Sequence, residues 1–272
     1  MMDWRVMSRA AREAAYNNTA AVVDSAALRA AWAVESAPLR AAWPGVLDAR
    51  YGPGERACWD LFPAADPAAP CIAFIHGGYW QRGSRQESTC FGEGLRAHGW
   101  HVAVLGYTLA PQASLTAITA EVHAGLDWLA ADSAAHGIAG PLLLTGWSAG
   151  GCLTTLSLGH PRVAAGLAIS GVYELGPLRD TSMDAALRLT DEEIAALSPL
   201  RLPHTPKPLA IAYGSRELQA FVDDSRTLHA QRAAAHLPGA LTPVPGANHF
   251  TILDALRRPD GLLVRAAIEA LR

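Results

Sequence analysis

Three residues suited to acyl transfer stand far apart in this chain: Ser148 in Gly146-Trp147-Ser148-Ala149-Gly150, Glu217, and His249 in "VPGANHF" (244–250). A serine hydroxyl is a weak nucleophile until a base takes its proton. The base in turn needs an acid behind it to fix its tautomer and stabilise the imidazolium. The Gly-x-Ser-x-Gly spacing is what a serine requires at a sharp strand-to-helix turn. The backbone there is strained, and the residues two away must lack a Cβ. The hydroxyl is then held at a helix N-terminus, where N–H groups point outward. "PLLLT" before the serine and "GCLTTLSLG" after the pentapeptide supply the strand and the helix.

Of ten histidines, His249 is the one placed after the last strand-like run and before the final helical pattern. That is the base's position in the chain order Ser…acid…His. His98, His101, His123, His136, His229 and His236 lie in or beside helices and loops with no partner indicated. The acid should follow the preceding strand. Glu217 sits a few residues past it, whereas Asp223 and Asp224 lie deeper in the next helix, so Glu217 is expected and Asp223 is the alternative. A tetrahedral intermediate also needs N–H donors. The N–H of Ala149 is one, and His76-Gly77-Gly78 ends an earlier strand where bare backbone can approach a carbonyl. His76 is expected to orient that loop and not to act as a second base.

These residues must be positioned by a sheet. Apolar runs bounded by Gly, Pro, Ser or His occur at 71–77, 101–107, 141–148, 163–171, 208–215 and 240–246, with helix-length segments at 85–98, 114–136, 149–160, 217–236 and 250–271. Such alternation predicts an α/β fold, a mostly parallel central sheet with helices on both faces, with ligands at the carboxyl ends of the strands. A single domain over 1–272 is expected. Residues 1–50 read as a helical segment packed on it, and 172–207 as a cap-like insertion of short helices.

Half of the 272 residues are apolar, 17% are charged and the net charge is −3, so neither nucleic acid nor an anionic membrane is an expected partner. The four cysteines, Cys58, Cys71, Cys90 and Cys152, show no metal-ligand spacing. No phosphate loop or dinucleotide fingerprint is present; no metal and no cofactor are expected. The first residues lack the apolar stretch of a signal peptide and no long apolar run follows, so a cytoplasmic protein is expected, with a homodimer left open.

Together these motifs resemble the α/β-hydrolase fold, and within it the hormone-sensitive-lipase-like and arylformamidase (kynurenine formamidase)-like branch. The likeness is carried by "HGGYW" (76–80), "GYTLAP" (106–111), "GWSAGG" (146–151), "ISGVYEL" (169–175), "YGSREL" with Phe221, and the N-terminal "YNN" (16–18) and "VVDS" (22–25). Lipase-like relatives carry a third glycine where this chain has Tyr79, so the Tyr-Trp pair points to the formamidase-like branch. The resemblance implies hydrolysis of an amide or ester through an acyl-enzyme, with Ser148 as nucleophile, His249 as base and Glu217 as its orienter. Gly78, Tyr79 and Ala149 would give the oxyanion-hole N–H groups. The chain departs from the pattern at the acid, where kynurenine formamidases commonly have Asp followed by Pro-Glu-Phe and this chain has Glu217 and Gln219-Ala220-Phe221.

Tyr79, Trp80, Trp147, Tyr173 and Phe250 all fall close to the expected catalytic edge; Tyr79, Trp80, Tyr173 and Phe250 are the expected substrate contacts, while Trp147 also fits core packing behind the serine. They imply an aromatic-accepting pocket and a small-molecule substrate, a formyl or acetyl group on an aromatic amine or alcohol. Two alternatives stand beside this: a general short-chain carboxylesterase, and a non-catalytic binding protein on a hydrolase scaffold, which the intact Ser, Glu and His disfavour.

Overall fold

Cys71-Ile72-Ala73-Phe74-Ile75 is apolar without a break because both of its faces are covered. Cys71, Ala73 and Ile75 enter one hydrophobic cluster, and Ile72 and Phe74 enter the other. The period-2 alternation of a strand thus divides one apolar run between two cores. The structure, a computed structural model, describes residues 4–272. Its single sheet contains β1 (Val46–Arg50), β2 (Cys58–Phe62), β3 (Cys71–Ile75), β4 (His101–Leu105), β5 (Leu142–Trp147), β6 (Val163–Ile169), β7 (Leu209–Gly214) and β8 (Leu241–Val244). The order is β1-β2-β4-β3-β5-β6-β7-β8; the six strands from β3 to β8 are parallel, and β2 runs antiparallel to both β1 and β4.

Two strands depart from the sequence reading. β1 ends the N-terminal segment that reads as helical throughout, and β2 was not expected at all. The pattern of β2 is broken by Asp60, a fully buried carboxylate. It is neutralised from outside the strand: Arg40 Nε donates to it at 2.7 Å, Arg85 Nε at 3.2 Å and the Asp48 N–H at 2.9 Å. The expected helix over 85–98 is a 3-10 turn at Thr89–Gly92 followed by a single turn at Glu93–Arg96, and that over 250–271 is interrupted after Arg257 and resumes at Leu262–Ala270.

The helix Leu115–Asp132 shows how the sequence commits to the fold. Ser114 caps it, its Oγ accepting from the Ala117 N–H at 3.2 Å, and Leu115, Ile118, Val122, Leu126 and Leu129 place one stripe on the sheet. The opposite face carries the N-terminal helix Ser25–Ala42, whose Trp32 packs edge-on against Phe91 and Trp147, with centroids 5.1 and 5.3 Å away.

Strand register then decides which loops meet. Ile75 pairs with Gly146, Trp147 with Ile169, and Gly214 with Val244, so the segments after β3, β5, β6, β7 and β8 emerge side by side at one edge. The helix after β5 comes so close to β3 that a Cβ on Gly150 would lie 2.1 Å from the Ile75 carbonyl oxygen. Gly150→Ala is therefore expected to lower the urea midpoint, with a loss of about 1–3 kcal/mol typical of overpacking; an unchanged midpoint would show that this approach can relax freely.

Candidate active site

Ser148 is the first residue beyond β5 and the cap of the helix Ala149–Ser157, held at φ +58° and ψ −118°. A non-glycine residue in that region carries strain of about 1–3 kcal/mol. The turn is fixed by the Ser148 N–H donating to the Ile169 carbonyl at 2.8 Å, which ties it to the end of β6. Its hydroxyl is almost wholly buried and lies 3.0 Å from His249 Nε2.

His249 sits in the turn after β8. Asn248 Oδ1 accepts from the N–H groups of Phe250 and Thr251, both at 2.9 Å, and closes that turn. The His249 carbonyl accepts from Trp147 Nε1 at 2.6 Å, and its ring is flanked by Trp147 at 5.0 Å and edge-on by Phe221 at 4.7 Å. Nδ1 lies 2.9 Å from Glu217 Oε2. Glu217 Oε1 is occupied as well, accepting from the Gly214 N–H at 2.6 Å and from Ser170 Oγ at 2.5 Å. Because a carboxylate can only accept here, Nδ1 carries the proton and Nε2 presents its lone pair to the serine. Sequence reasoning missed Ser170, the residue just past β6; its place beside Ser148 follows only from the strand pairing.

The other two acids are engaged elsewhere. Asp223 accepts from Gln219 Nε2 at 2.7 Å. Asp224 is buried and accepts from the N–H groups of Tyr173 and Glu174 at 2.9 and 3.2 Å. Burial pushes its carboxyl up to about 7, opposed by those two donors and assisted by the nearby Glu174 charge.

The loop after β3 runs through three consecutive left-handed residues, Gly78 at φ +112°, Tyr79 at +53° and Trp80 at +57°. The two non-glycine members cost roughly 1–2 kcal/mol each, and the surroundings over-determine them. Tyr79 Oη donates to the Tyr16 carbonyl at 2.5 Å and accepts from the Asn18 N–H at 3.0 Å; the Trp80 carbonyl accepts from the Ala110 N–H at 2.8 Å. His76 stacks on Tyr107 with centroids 4.3 Å apart, donates from Nδ1 to the Gly77 carbonyl at 2.9 Å, and is pushed by burial down to about 3. It is thus a neutral strut of the loop. The N–H groups of Gly78 and Tyr79 make no backbone hydrogen bond among the described residues, and that of Ala149, at the first helical position, has no partner within its helix.

A pocket opens onto Ser148, His249 and Gly77-Gly78-Tyr79. Its apolar wall is aromatic: Trp32, Phe74, Phe91, Trp147 and Phe250, with Tyr79 beside them. Of the expected substrate contacts, Tyr79 and Phe250 line it, and two do not. Trp80 is fully buried in the core on the Leu115–Asp132 side, because the left-handed turn directs it inward, and Tyr173 is fully buried behind the Asp224 contact. Two further stretches, neither expected to contact substrate, complete the lining: Asn18, Thr19, Arg29 and Trp32 of the N-terminal segment, and residues of the stretch from Arg82 to Ser88 beyond the loop, while no residue of 172–207 lines it. Among the described residues, no three His, Cys, Asp or Glu side chains are grouped to hold a metal ion, and no helix is long and apolar enough to cross a membrane.

Residues 61–161 match the BD-FAE family. Kynurenine formamidase of Danio rerio is 25% identical over 83% of this chain and 82% of its own, and that of Drosophila melanogaster is 26% identical over 75% and 74%. Among solved structures, a supposed thioesterase from Silicibacter sp. tm1040 superposes with a TM-score of 0.81 at 26% identity, covering 94% of this chain and 98% of the other. Esterase B of Lactobacillus rhamnosis shares the fold, with a TM-score of 0.69 at 22% identity over 91% and 93%. These likenesses support an arylformamidase-like α/β-hydrolase of the amidase and esterase type.

Asp224 generates a pH prediction. Its folded value lies above the ordinary carboxylate value near 4, so it adds no penalty where both states are protonated, and a growing one as pH rises from about 4 to about 7. Asp224→Asn should therefore gain stability relative to the parent between about pH 5 and pH 8. The check is the difference in urea midpoint between the two proteins across that range; a flat difference would show that the carboxyl does not titrate there.

Proposed function

We propose that the protein is a serine hydrolase that removes a small acyl group, formyl or acetyl, from an aromatic amine or alcohol through an acyl-enzyme. The observation that carries this reading is the unbroken buried relay from Ser148 Oγ to His249 Nε2 at 3.0 Å and from His249 Nδ1 to Glu217 Oε2 at 2.9 Å. In the first half-reaction the Ser148 proton passes to His249 Nε2 as Oγ attacks the acyl carbon. The Glu217 carboxylate holds the imidazolium that results, without taking its proton. The developing oxyanion accepts from the Ala149 N–H on one side and from Gly78 and Tyr79 on the other, each donor contributing on the order of 3–4 kcal/mol. The intermediate collapses with His249 returning the proton to the departing nitrogen or oxygen. In the second half-reaction His249 takes a proton from water, which attacks the acyl-serine, and the carboxylic acid leaves as Ser148 is reprotonated.

The aromatic wall supports an aryl group on the substrate, since Trp32, Phe91 and Phe250 present apolar ring surface to the pocket beside Ser148. The relay alone serves esters as well as formamides. The likeness to kynurenine formamidases favours the formamide, and the likeness to esterases keeps a short-chain carboxylesterase as the second reading.

Steady-state comparison of N-formylkynurenine and formanilide with p-nitrophenyl acetate separates the two readings. Aryl formamides should be turned over with the higher kcat/KM; a preference for the ester by orders of magnitude selects the carboxylesterase, and no turnover of any of them, with no labelling of Ser148 by a fluorophosphonate, overturns the hydrolase reading. Ser148→Ala should abolish turnover while leaving the melting temperature near that of the parent. Glu217→Gln should lose much of kcat, on the order of a thousandfold or more where tautomer control fails, whereas Asp223→Asn should lose little. Ser170→Ala should cost less than Glu217→Gln, on the order of tenfold in kcat, because the Gly214 N–H still holds the carboxylate; a loss equal to that of Glu217→Gln would show that the Gly214 N–H alone does not hold it.

A further inference from the structure

Ser148 and His249 meet although their strands do not. In the order β5-β6-β7-β8, two strands separate the nucleophile's strand from the base's, a gap of roughly 14 Å at about 4.8 Å per strand spacing. The turn that carries His249 is tied to the end of β7. The Ser215 N–H donates to the Val244 carbonyl at 3.0 Å, the Arg216 N–H to the Ala247 carbonyl at 2.9 Å, and the Gly246 N–H to Ser215 Oγ at 2.8 Å. The Asn248 Oδ1 bonds lie within the turn and shape it without locating it. None of these contacts reaches the nucleophile.

One side chain bridges the gap. Trp147 ends β5, directly before Ser148, and its Nε1 donates to the His249 carbonyl at 2.6 Å. Among the described residues no backbone N–H donates to that carbonyl. The indole is immobilised on its other sides. Its backbone pairs with Ile169 of β6, Trp32 packs edge-on against the ring at 5.3 Å, and Phe250 lies at 5.5 Å. Gly77 comes so close that a Cβ there would lie 2.5 Å from Trp147 Cε3. A rigid ring anchored next to the nucleophile therefore holds the backbone of the base. Packing behind the serine does not account for this, because any large apolar side chain packs, and a phenylalanine or leucine here would leave the buried carbonyl without a donor.

We propose that Trp147 is the positioning residue of the base: its indole N–H, donated to the His249 carbonyl, sets the distance at which Nε2 meets Ser148 Oγ. This deepens the serine-hydrolase reading and rests on it for the reaction, while the placement of the imidazole stands on the geometry alone. Trp147 acts through His249, and the N–H matters to the rate where the ring matters to the pocket wall.

The test removes the N–H and keeps an aromatic ring. Trp147→Phe is the first variant. Replacement of Trp147 alone by benzothienylalanine, an isostere with sulfur in place of N–H, keeps the whole bicycle and so keeps the test where the smaller ring does not fold. Rates are measured on whichever of N-formylkynurenine, formanilide and p-nitrophenyl acetate the parent turns over. In both variants kcat should fall by about a hundredfold, the order of loss for a reacting group displaced by about 1 Å, while KM stays within about threefold because the wall is kept. Crystal structures of the folded variants should show His249 Nε2 drawn beyond about 3.3 Å from Ser148 Oγ, with the Nδ1 contact to Glu217 retained. A kcat within about threefold of the parent's, with or without a rise in KM, makes Trp147 a wall of the pocket only and overturns the proposal while leaving the hydrolase standing. An unmoved Nε2 in the variants overturns it too. Where turnover by the parent and fluorophosphonate labelling of Ser148 are both absent, the hydrolase reading falls, and the position of Nε2 alone decides whether Trp147 places the imidazole.

Discussion

The Glu217 carboxylate is the constraint on which the rest of the edge depends. It is fully buried, and an unpaired charge in such a place costs several kcal/mol even after relaxation. Its three donors come from three different strand ends: Ser170 beyond β6, Gly214 at the end of β7, and His249 beyond β8. Gly214 is only three residues away, but Ser170 and His249 arrive from the strands on either side of β7, so the carboxylate is fully satisfied only when β6, β7 and β8 are paired. Assembly of the sheet and assembly of the proposed triad are therefore one event. Ser148 joins through the same logic, because its N–H closes on Ile169, the residue before Ser170.

A second strained element faces the first. Gly78, Tyr79 and Trp80 hold positive φ in succession, and the turn persists because groups far away in sequence fix it. Tyr16 and Asn18 hold the Tyr79 hydroxyl from one side and Ala110 holds the Trp80 carbonyl from the other. The N–H groups of Gly78 and Tyr79 are left without a backbone partner as a result, and stored strain of this kind is how a protein keeps donors aimed at a charge that exists only during reaction.

Residues that follow an unbroken apolar run could be read from the sequence, because burial on both faces leaves a simple record. Ser148 and Glu217 each stand just past such a run, and His76-Gly77-Gly78 past another, whereas His249 follows the half-exposed edge strand β8 and is legible from chain order. β2 left no such record, since Asp60 interrupts it and its neutralising arginines, Arg40 and Arg85, lie at least twenty residues away in either direction. Ser170 was illegible for a different reason: one hydroxyl after a strand has no pattern, and only the pairing of β5 with β6 gives it a role. Trp80 and Tyr173 show the limit of proximity reasoning. Both are within a few residues of the edge and both are fully buried, Trp80 turned inward by its left-handed backbone and Tyr173 tied by its N–H to Asp224. The N-terminal lining of the pocket was hidden because the contacts between Tyr16, Asn18 and Tyr79 span about sixty residues and no local periodicity encodes them.

Tyr79 is where these strands of the architecture meet. Its hydroxyl anchors the N-terminal segment, its ring lies beneath the Arg82 guanidinium, and its backbone N–H belongs to the proposed oxyanion hole. The Tyr16 carbonyl and the Asn18 N–H thus fix, through one hydroxyl, the loop whose free N–H groups face the reacting bond, so the N-terminal segment contributes to the geometry of the proposed oxyanion hole without entering the sheet.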